Sequence, residues 1–337
     1  MFLEDYLTTL KEIAKRANVS VMTVSRVVKN SGYVNAETRK LIEAVIKELD
    51  YRPNEIARSL HRSSTKNILL IVPDIENPFF AEMIKGTTTV LRQHGYQSIF
   101  ADSDGEIGNE KEIAERALSR IVDGVILYCP RAESAYFDFL SARVPLLVVD
   151  RRITSHAVDH IYIDNKPSAE AAVDYLIANG HRDIGLIGGP QNVLANLRRK
   201  SGYLASLKAH GIPVNDQFMF FCGFEFEDGV SAFEYFSQME HRPTAYFATN
   251  DLMALGFIQQ AQEKGLAIPS DISVVGFDNI AMSRLISPAL TTVDNPRHDM
   301  GALAAFRMLK KLDPTVEVPQ FSLTNRMVIR GSVRNIT

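Results

Sequence analysis

Val21, Met22, Thr23, Ser25, Arg26 and Lys29 fall within nine consecutive residues. Apolar groups, hydroxyls and cations so close together form a mixed surface of the kind that suits a DNA major groove. To share a surface they must stand on a helix whose opposite face is buried, and Val24, Val27 and Val28 supply that face. Just upstream, Leu10, Ile13, Ala14 and Ala17 recur at helical spacing. Only Asn18-Val19-Ser20 separates the two patterns, so the helices cross steeply instead of running antiparallel, as in a helix-turn-helix unit. Thr9-x-x-Glu12 reads as a capping box for the first helix, and Ser20 as the N-cap of the second. An ordinary helical hairpin inside a larger core would carry the same apolar pattern, so this stretch alone leaves both readings open.

The charge distribution favours the first. Residues 1–66 hold twelve Lys/Arg against eight Asp/Glu, whereas the rest of the 337-residue chain holds 25 against 32. A basic head on an acidic body fits a DNA-reading module attached to something that does not touch DNA. Cys129 and Cys222, the two cysteines, are too few for a disulfide framework or a metal cluster, and both sit in apolar runs that read as buried. The acidic start Met-Phe-Leu-Glu-Asp-Tyr is unlike a secretory leader, and no apolar run reaches membrane-spanning length. The expectation is a cytoplasmic protein without membrane contact.

A third helix follows, capped by Asn35 and carrying Leu41, Ile42, Val45, Ile46 and Leu49 at helical spacing. After Pro53, Ile56, Ala57 and Leu60 would stripe a helix of about two turns, too short to be stable alone in water. Ser63-Ser-Thr-Lys-Asn reads as a linker. From Asn67 short apolar runs alternate with helical patterns. Strands are predicted at 68–72, 97–101, 124–128, 146–149, 184–187, 218–222, 245–248 and 273–276. Helices are predicted at 78–94, 110–120, 168–179, 197–210, 229–239 and 252–264, among others. This is α/β alternation with parallel sheets. A break near 159–166 divides it into two similar lobes, and 321–329 reads as a return strand.

These segments together resemble the LacI/GalR (lactose-repressor) family. The resemblance rests on Val19-Ser-Val-Met-Thr-Val-Ser-Arg-Val in the head and Arg52-Pro-Asn-x-x-Ala-Arg-Ser-Leu after it. In the body it rests on Asn77-Pro-Phe-Phe, Gly180-His-Arg-Asp-Ile-Gly, Arg242-Pro-Thr-Ala, Asn250-Asp-x-Met-Ala-x-Gly, Asp271-Ile-Ser-Val-Val-Gly-Phe-Asp and Pro288-Ala-Leu-Thr-Thr-Val, in family order over residues 8–333. It implies a three-helix head at 1–52, a hinge helix and linker at 53–66, and an effector-binding, dimerising body at 67–337. That body would have the two-lobed periplasmic-binding-protein fold. The first lobe would span about 67–162 and 291–318, the second about 163–290 and 319–333.

By the same resemblance the protein is a transcriptional regulator, most readily a repressor, that binds a pseudo-palindromic operator on double-stranded DNA as a homodimer. Val21 and Met22 would stand where the family reads base edges. Being apolar, they can press on a thymine methyl but cannot form bidentate hydrogen bonds. Arg26 matches the arginine that pairs with guanine. Thr9, Ser20, Thr23 and Ser25 match hydroxyl positions on phosphates. Ala57 and Leu60 match residues that enter the minor groove as an apolar wedge, with Arg58 and His61 lining the groove or reaching phosphate. Effector contacts would come from Phe79, Phe80 and Asp150 in the first lobe and Arg199, Asn250 and Asp278 in the second, with Arg198 competing for the role of Arg199. A carboxylate pair, an arginine and an amide suit a polyhydroxylated ligand. Sugars, sugar acids or sugar phosphates lead, and a nucleobase or a phosphoprotein co-regulator is the alternative. Dimer contacts are expected from 80–91, 252–260 and 280–286. The stretch before Thr337 carries no leucine heptad, so a coiled-coil tetramer is not expected.

Rival classes fare worse. A transporter's extracytoplasmic binding protein would suit 67–333 but not the head. An enzyme is not expected. The chain has no glycine-rich phosphate loop, no His-Glu-x-x-His and no Gly-x-Ser-x-Gly, and Gly188-Gly-Pro reads as a turn. Its eight histidines show no metal-ligand spacing, so neither metal nor cofactor is expected.

Overall fold

A computed structural model describes residues 10–51, 64–119 and 121–337. The chain divides into two compact units at Thr65/Lys66. The first contains α1 (Leu10–Arg16), α2 (Val21–Val28) and α3 (Ala36–Glu48). Their buried faces meet in one core of Ile13, Ala14, Ala17, Val24, Val27, Ile42 and Val45. Asn18 turns the chain between α1 and α2 by adopting φ 52°, a left-handed conformation that asparagine tolerates. Ser20 Oγ accepts the Thr23 N–H at 3.1 Å, and Asn35 Oδ1 accepts the Glu37 N–H at 2.9 Å. Both predicted caps are therefore formed. Leu41 differs from the predicted stripe, because it points away from the core and is 50% exposed.

The second unit holds two parallel sheets. The first has strand order β2-β1-β3-β4-β5, with β1 Asn67–Val72, β2 Gln97–Asp102, β3 Gly124–Tyr128, β4 Leu146–Val149 and β5 Asp159–Ile161. The second has order β7-β6-β8-β9, with β6 Ile184–Gly188, β7 Met219–Phe221, β8 Ala245–Ala248 and β9 Ser273–Val275. β1, β3 and β4 are unbroken apolar runs because helices cover both of their faces. The connecting helices are α4 (Pro78–Gln93), α5 (Ile107–Ala117) and α6 (Ser134–Ser141) on the first sheet. Those on the second are α7 (Lys166–Ala178), α8 (Leu194–Ala209), α9 (Phe226–Ser237) and α10 (Asp251–Glu263).

The chain then recrosses. β10 (Thr292–Asp294) runs beside β9 through bridges Val275–Thr291 and Asp278–Asp294. α11 (Arg297–Leu312) returns to the first sheet, placing Met300, Ala304, Ala305 and Met308 against Ile68, Leu70 and Ile126. β11 (Arg326–Val328) comes back antiparallel to β10, a shorter return strand than the predicted 321–329. α4 and α11 touch backbone to backbone: a Cβ on Gly301 would lie 1.9 Å from the Met83 carbonyl oxygen, and one on Gly86 2.1 Å from that of His298. No helix among the described residues is long and apolar enough to cross a membrane.

Candidate functional site

In the first unit, capping by Ser20 sets how α2 presents its outer face. The Ser20 and Thr23 hydroxyls also pair with each other at 2.8 Å. Val21 is 41% exposed and Met22 67%, so adjacent apolar side chains face outward at the start of α2. Arg26 and Lys29 are exposed, while Thr23 and Ser25 are half-buried at the edges of the same face. The Arg26 guanidinium lies 4.0 Å from Met22 Sδ. Its stem runs over Gly32, where a Cβ would stand 3.6 Å from Arg26 Cδ and where φ is +70°. Gly32 thus helps aim Arg26, a role that sequence reading did not assign. Of the residues expected to reach DNA, the face brings together Ser20, Val21, Met22, Thr23, Ser25 and Arg26. Thr9, Ala57, Arg58, Leu60 and His61 lie outside the described residues.

The second unit has a cavity of about 550 Å³ between its two sheets. The loops that follow the strands build it, the usual place for ligands in open parallel sheets. Phe79, Phe80 and Asp150 line it from the first sheet, and Arg199, Asn250 and Asp278 from the second. Phe79 and Phe80 meet edge to face at 5.1 Å and belong at once to the pocket wall and to the core beneath it.

The floor is charged and buried. Arg199 is 4% exposed, and its guanidinium donates to Asp278 Oδ1 at 3.0 Å and to the Thr249 carbonyl. It also lies 3.9 Å from the centre of the Phe277 ring. Arg198, next in sequence, turns away and grips Asp164 with both arms at 2.9 and 2.5 Å. Of these two neighbours it is Arg199, and not Arg198, that lines the pocket.

Asp150 is 7% exposed, and its Oδ1 has no hydrogen-bond partner among the described residues. Its Oδ2 accepts only the weak Cys129 thiol donor at 3.3 Å. Burial pushes the Asp150 carboxyl up to about 6, against the pull of Arg199. Burial likewise raises Asp278, with Arg199 and then Arg297 opposing it. The Cys129 thiol is lifted well above its ordinary range by burial and by Asp150, so it is no nucleophile at neutral pH. Asn250 caps α10 through Oδ1 (Met253 N–H, 2.9 Å) and donates Nδ2 to the Phe224 carbonyl at 2.7 Å. Its amide is held at both ends, leaving one N–H for a ligand. Asp104, Cys129, Asp150 and Asp278 have positive φ of 52°, 45°, 59° and 109°. Left-handed backbone at four non-glycine pocket residues is strain of the kind that concentrates at binding sites.

Sequence reading missed Cys129, Arg131, Phe224 and Glu225, which also line the cavity. Each lies within a few residues of a strand's C-terminal end, and that position was the available signal.

Comparison with known proteins matches residues 9–54 to the family described as bacterial regulatory proteins, lacI family. Residues 65–330 match periplasmic binding proteins and sugar binding domain of LacI family. The chain is 33% identical over 333 residues to the HTH-type transcriptional repressor CytR of Escherichia coli (strain K12), covering 98% of each. It is 35% identical over 332 residues to the HTH-type transcriptional repressor PurR of Klebsiella pneumoniae, covering 97% of each. Against catabolite control protein A of Priestia megaterium it is 32% identical over 329 residues, covering 97% of this chain and 99% of that one. Among solved structures, it resembles the lac repressor dimer bound to operator and the anti-inducer ONPF, with TM-score 0.83, 25% identity and coverage of 97% and 99%. It also resembles a transcriptional regulator CelR–cellobiose complex, with TM-score 0.71, 27% identity and coverage of 96% and 99%.

Proposed function

The chain belongs to the LacI family of bacterial regulatory proteins, and from that premise we propose how its residues divide the work of gripping and releasing DNA. It is a helix-turn-helix transcriptional repressor and not an enzyme, with a ligand-binding body that puts operator binding under a small-molecule effector. Like its relatives it acts on DNA as a dimer. Acting on an operator, it would work in the cytoplasm.

On this reading α2 lies in the major groove. Arg26 carries the hydrogen-bonded discrimination in each half-site, Val21 and Met22 press on thymine methyls, and Ser20, Thr23 and Ser25 hold phosphates with Thr9. Leu60 and Ala57 from two subunits wedge the minor groove at the operator centre, beside Arg58 and His61. In the body, Asp150, Arg199, Asn250 and Asp278 bind the polar groups of the effector, and Phe79 or Phe80 covers an apolar face. Closure of the two lobes on the effector changes the spacing of the paired hinges and so their grip on DNA.

One observation carries the effector assignment. Asp150 from the first sheet and the Arg199–Asp278 pair from the second converge on one cavity, and Asp150 has an unsatisfied buried oxygen there. Buried polar atoms ordinarily have partners, and a ligand hydroxyl or amine would supply one. The CelR–cellobiose complex favours a sugar over a nucleobase or a phosphoprotein co-regulator. A thermal-shift screen of the full chain against sugars, sugar acids, sugar phosphates and purines tests this. The expected result is a dose-dependent rise in Tm with one of these classes. No rise with any of them would remove the small-molecule reading in favour of a protein co-regulator.

A further inference from the structure

The cleft's charge narrows the chemistry of what it admits. Its floor sets two buried carboxylates, Asp150 and Asp278, against the single guanidinium of Arg199, whose two terminal nitrogens are committed to Asp278 and the Thr249 carbonyl and whose Nε alone is left without a partner among the described residues. The rim adds Glu76 from the loop after β1, Asp104 from the loop after β2, and Glu225 and Glu227 at the start of α9, all exposed. Half-buried Asp74 joins them, and Arg131 is the other cation among the lining residues. The acids from the two lobes face each other. Partial desolvation at the cleft mouth raises the Glu225 carboxyl, and Asp74, Asp228, Glu227 and Glu76 raise it further. Closing the lobes brings these like charges together in a site with less water to screen them, where Coulomb forces are stronger. The unpartnered Asp150 Oδ1, at a residue 93% removed from solvent, is an acceptor that needs a donor.

Resting on the effector cleft proposed above, we infer that this protein's effector is a donor-rich molecule of sugar or nucleoside size with no anionic group, neutral or carrying an amine, and that carboxylate- and phosphate-bearing effectors are excluded. A ligand hydroxyl or ammonium seats on Asp150. A ligand carboxylate or phosphate would face seven lining carboxylates, Asp74, Glu76, Asp104, Asp150, Glu225, Glu227 and Asp278, against the two guanidiniums of Arg131 and Arg199, the latter already paired with Asp278. Among the candidate effector classes, sugar acids, sugar phosphates and phosphorylated partners drop out, while sugars, amino sugars and unphosphorylated nucleosides or bases remain.

The test uses the full chain at neutral pH and fixed physiological salt, with titration calorimetry and thermal shift on charge-matched sets. These are glucose, glucosamine, gluconate and glucose phosphate; ribose and ribose phosphate; adenosine and adenosine monophosphate. In every set that binds, the neutral or amino member should bind at least about tenfold tighter than its anionic counterpart, a margin of about 1.4 kcal/mol. An anionic member binding as tightly as its neutral counterpart, or tighter, overturns this inference and leaves the effector cleft standing. Silence from every set overturns the small-molecule reading itself. Neutralising the exposed rim with Glu76→Gln, Glu225→Gln and Glu227→Gln together should shrink the discrimination against anions several-fold. Unchanged discrimination in that variant would overturn the role given to the rim.

Discussion

Asp150→Asn should make the protein more stable and deaf to its effector at once. The carboxyl sits buried beside Cys129, Arg199 and Asp278, and its pKa rises from the ordinary 3.8 to about 6. The folded protein therefore holds this proton more tightly than the unfolded chain does. Stability linked to Asp150 is undiminished below pH 3.8, falls as the pH climbs to about 6, and stays low above it. The gap of about two pH units corresponds to about 3 kcal/mol forgone at neutral pH. Asparagine carries no charge, so it escapes this cost while keeping an acceptor for the Cys129 thiol. Arg199 loses a neighbouring negative charge, which offsets part of the gain and leaves about 1–3 kcal/mol. For a body of this size that is a rise in Tm of about 2–5 °C. Melting curves of wild type and variant should separate by this amount near pH 8 and converge near pH 4. The Tm increase that the effector induces in wild type should vanish in the variant. A variant that melts below wild type at both pH values would refute the reasoning, because it would mean that the buried carboxylate stabilises the fold.

Arg26→Ala should weaken operator binding by about 1–3 kcal/mol while leaving binding to random DNA within a few-fold, as read by fluorescence anisotropy at fixed salt. Equal losses on both would make Arg26 a phosphate contact. Gly301→Ala drives a methyl into the Met83 carbonyl and should destabilise the body by about 1–3 kcal/mol, seen as a lower Tm with the DNA affinity of the surviving fold intact. Ser20→Ala removes the α2 cap and should cost about 1 kcal/mol, measured by denaturant melts of the full chain. Leu60→Ala should reduce specific operator affinity far more than non-specific affinity, and equal reductions would remove the minor-groove wedge.

Much of this architecture is written locally. The Asn18-Val19-Ser20 turn and the caps Ser20 and Asn35 define the head within a few residues, because short helices depend on their ends. β1, β3 and β4 announce themselves as unbroken apolar runs because both faces of a central parallel strand are buried. α11 is harder to see. It begins at Pro296 with no side-chain cap, and it packs through Gly301, Ala304 and Ala305, whose small side chains give a faint apolar stripe. α6 spans eight residues and gives a pattern too short to stand out.

The pocket inverts the usual rule. In α8 the polar Asn196 and Arg199 are buried, in line with Tyr203 and Ser206, while Leu194 and Leu197 are exposed. The predicted start at 197 lies three residues inside the observed one at Leu194, and the exposed leucines give no hint that Arg199, and not Arg198, faces the cleft. The stripe 196, 199, 203, 206 was the signal. Local pattern and actual burial part company at binding sites. The rim acids were equally invisible as a group, since Asp74, Glu76, Asp104, Glu225 and Glu227 come from three separate loops and meet only in the folded body.

On the function proposed above, effector occupancy of the cleft and operator occupancy of the head form one coupled equilibrium. The most direct test uses the panel compound that raises Tm most. Its affinity is measured with the chain free and with the chain saturated by operator, and operator affinity is measured with and without the compound at the same salt. Both affinities should change, and by the same factor, as linkage requires. Operator affinity unmoved by a saturating compound that demonstrably occupies the cleft would contradict it.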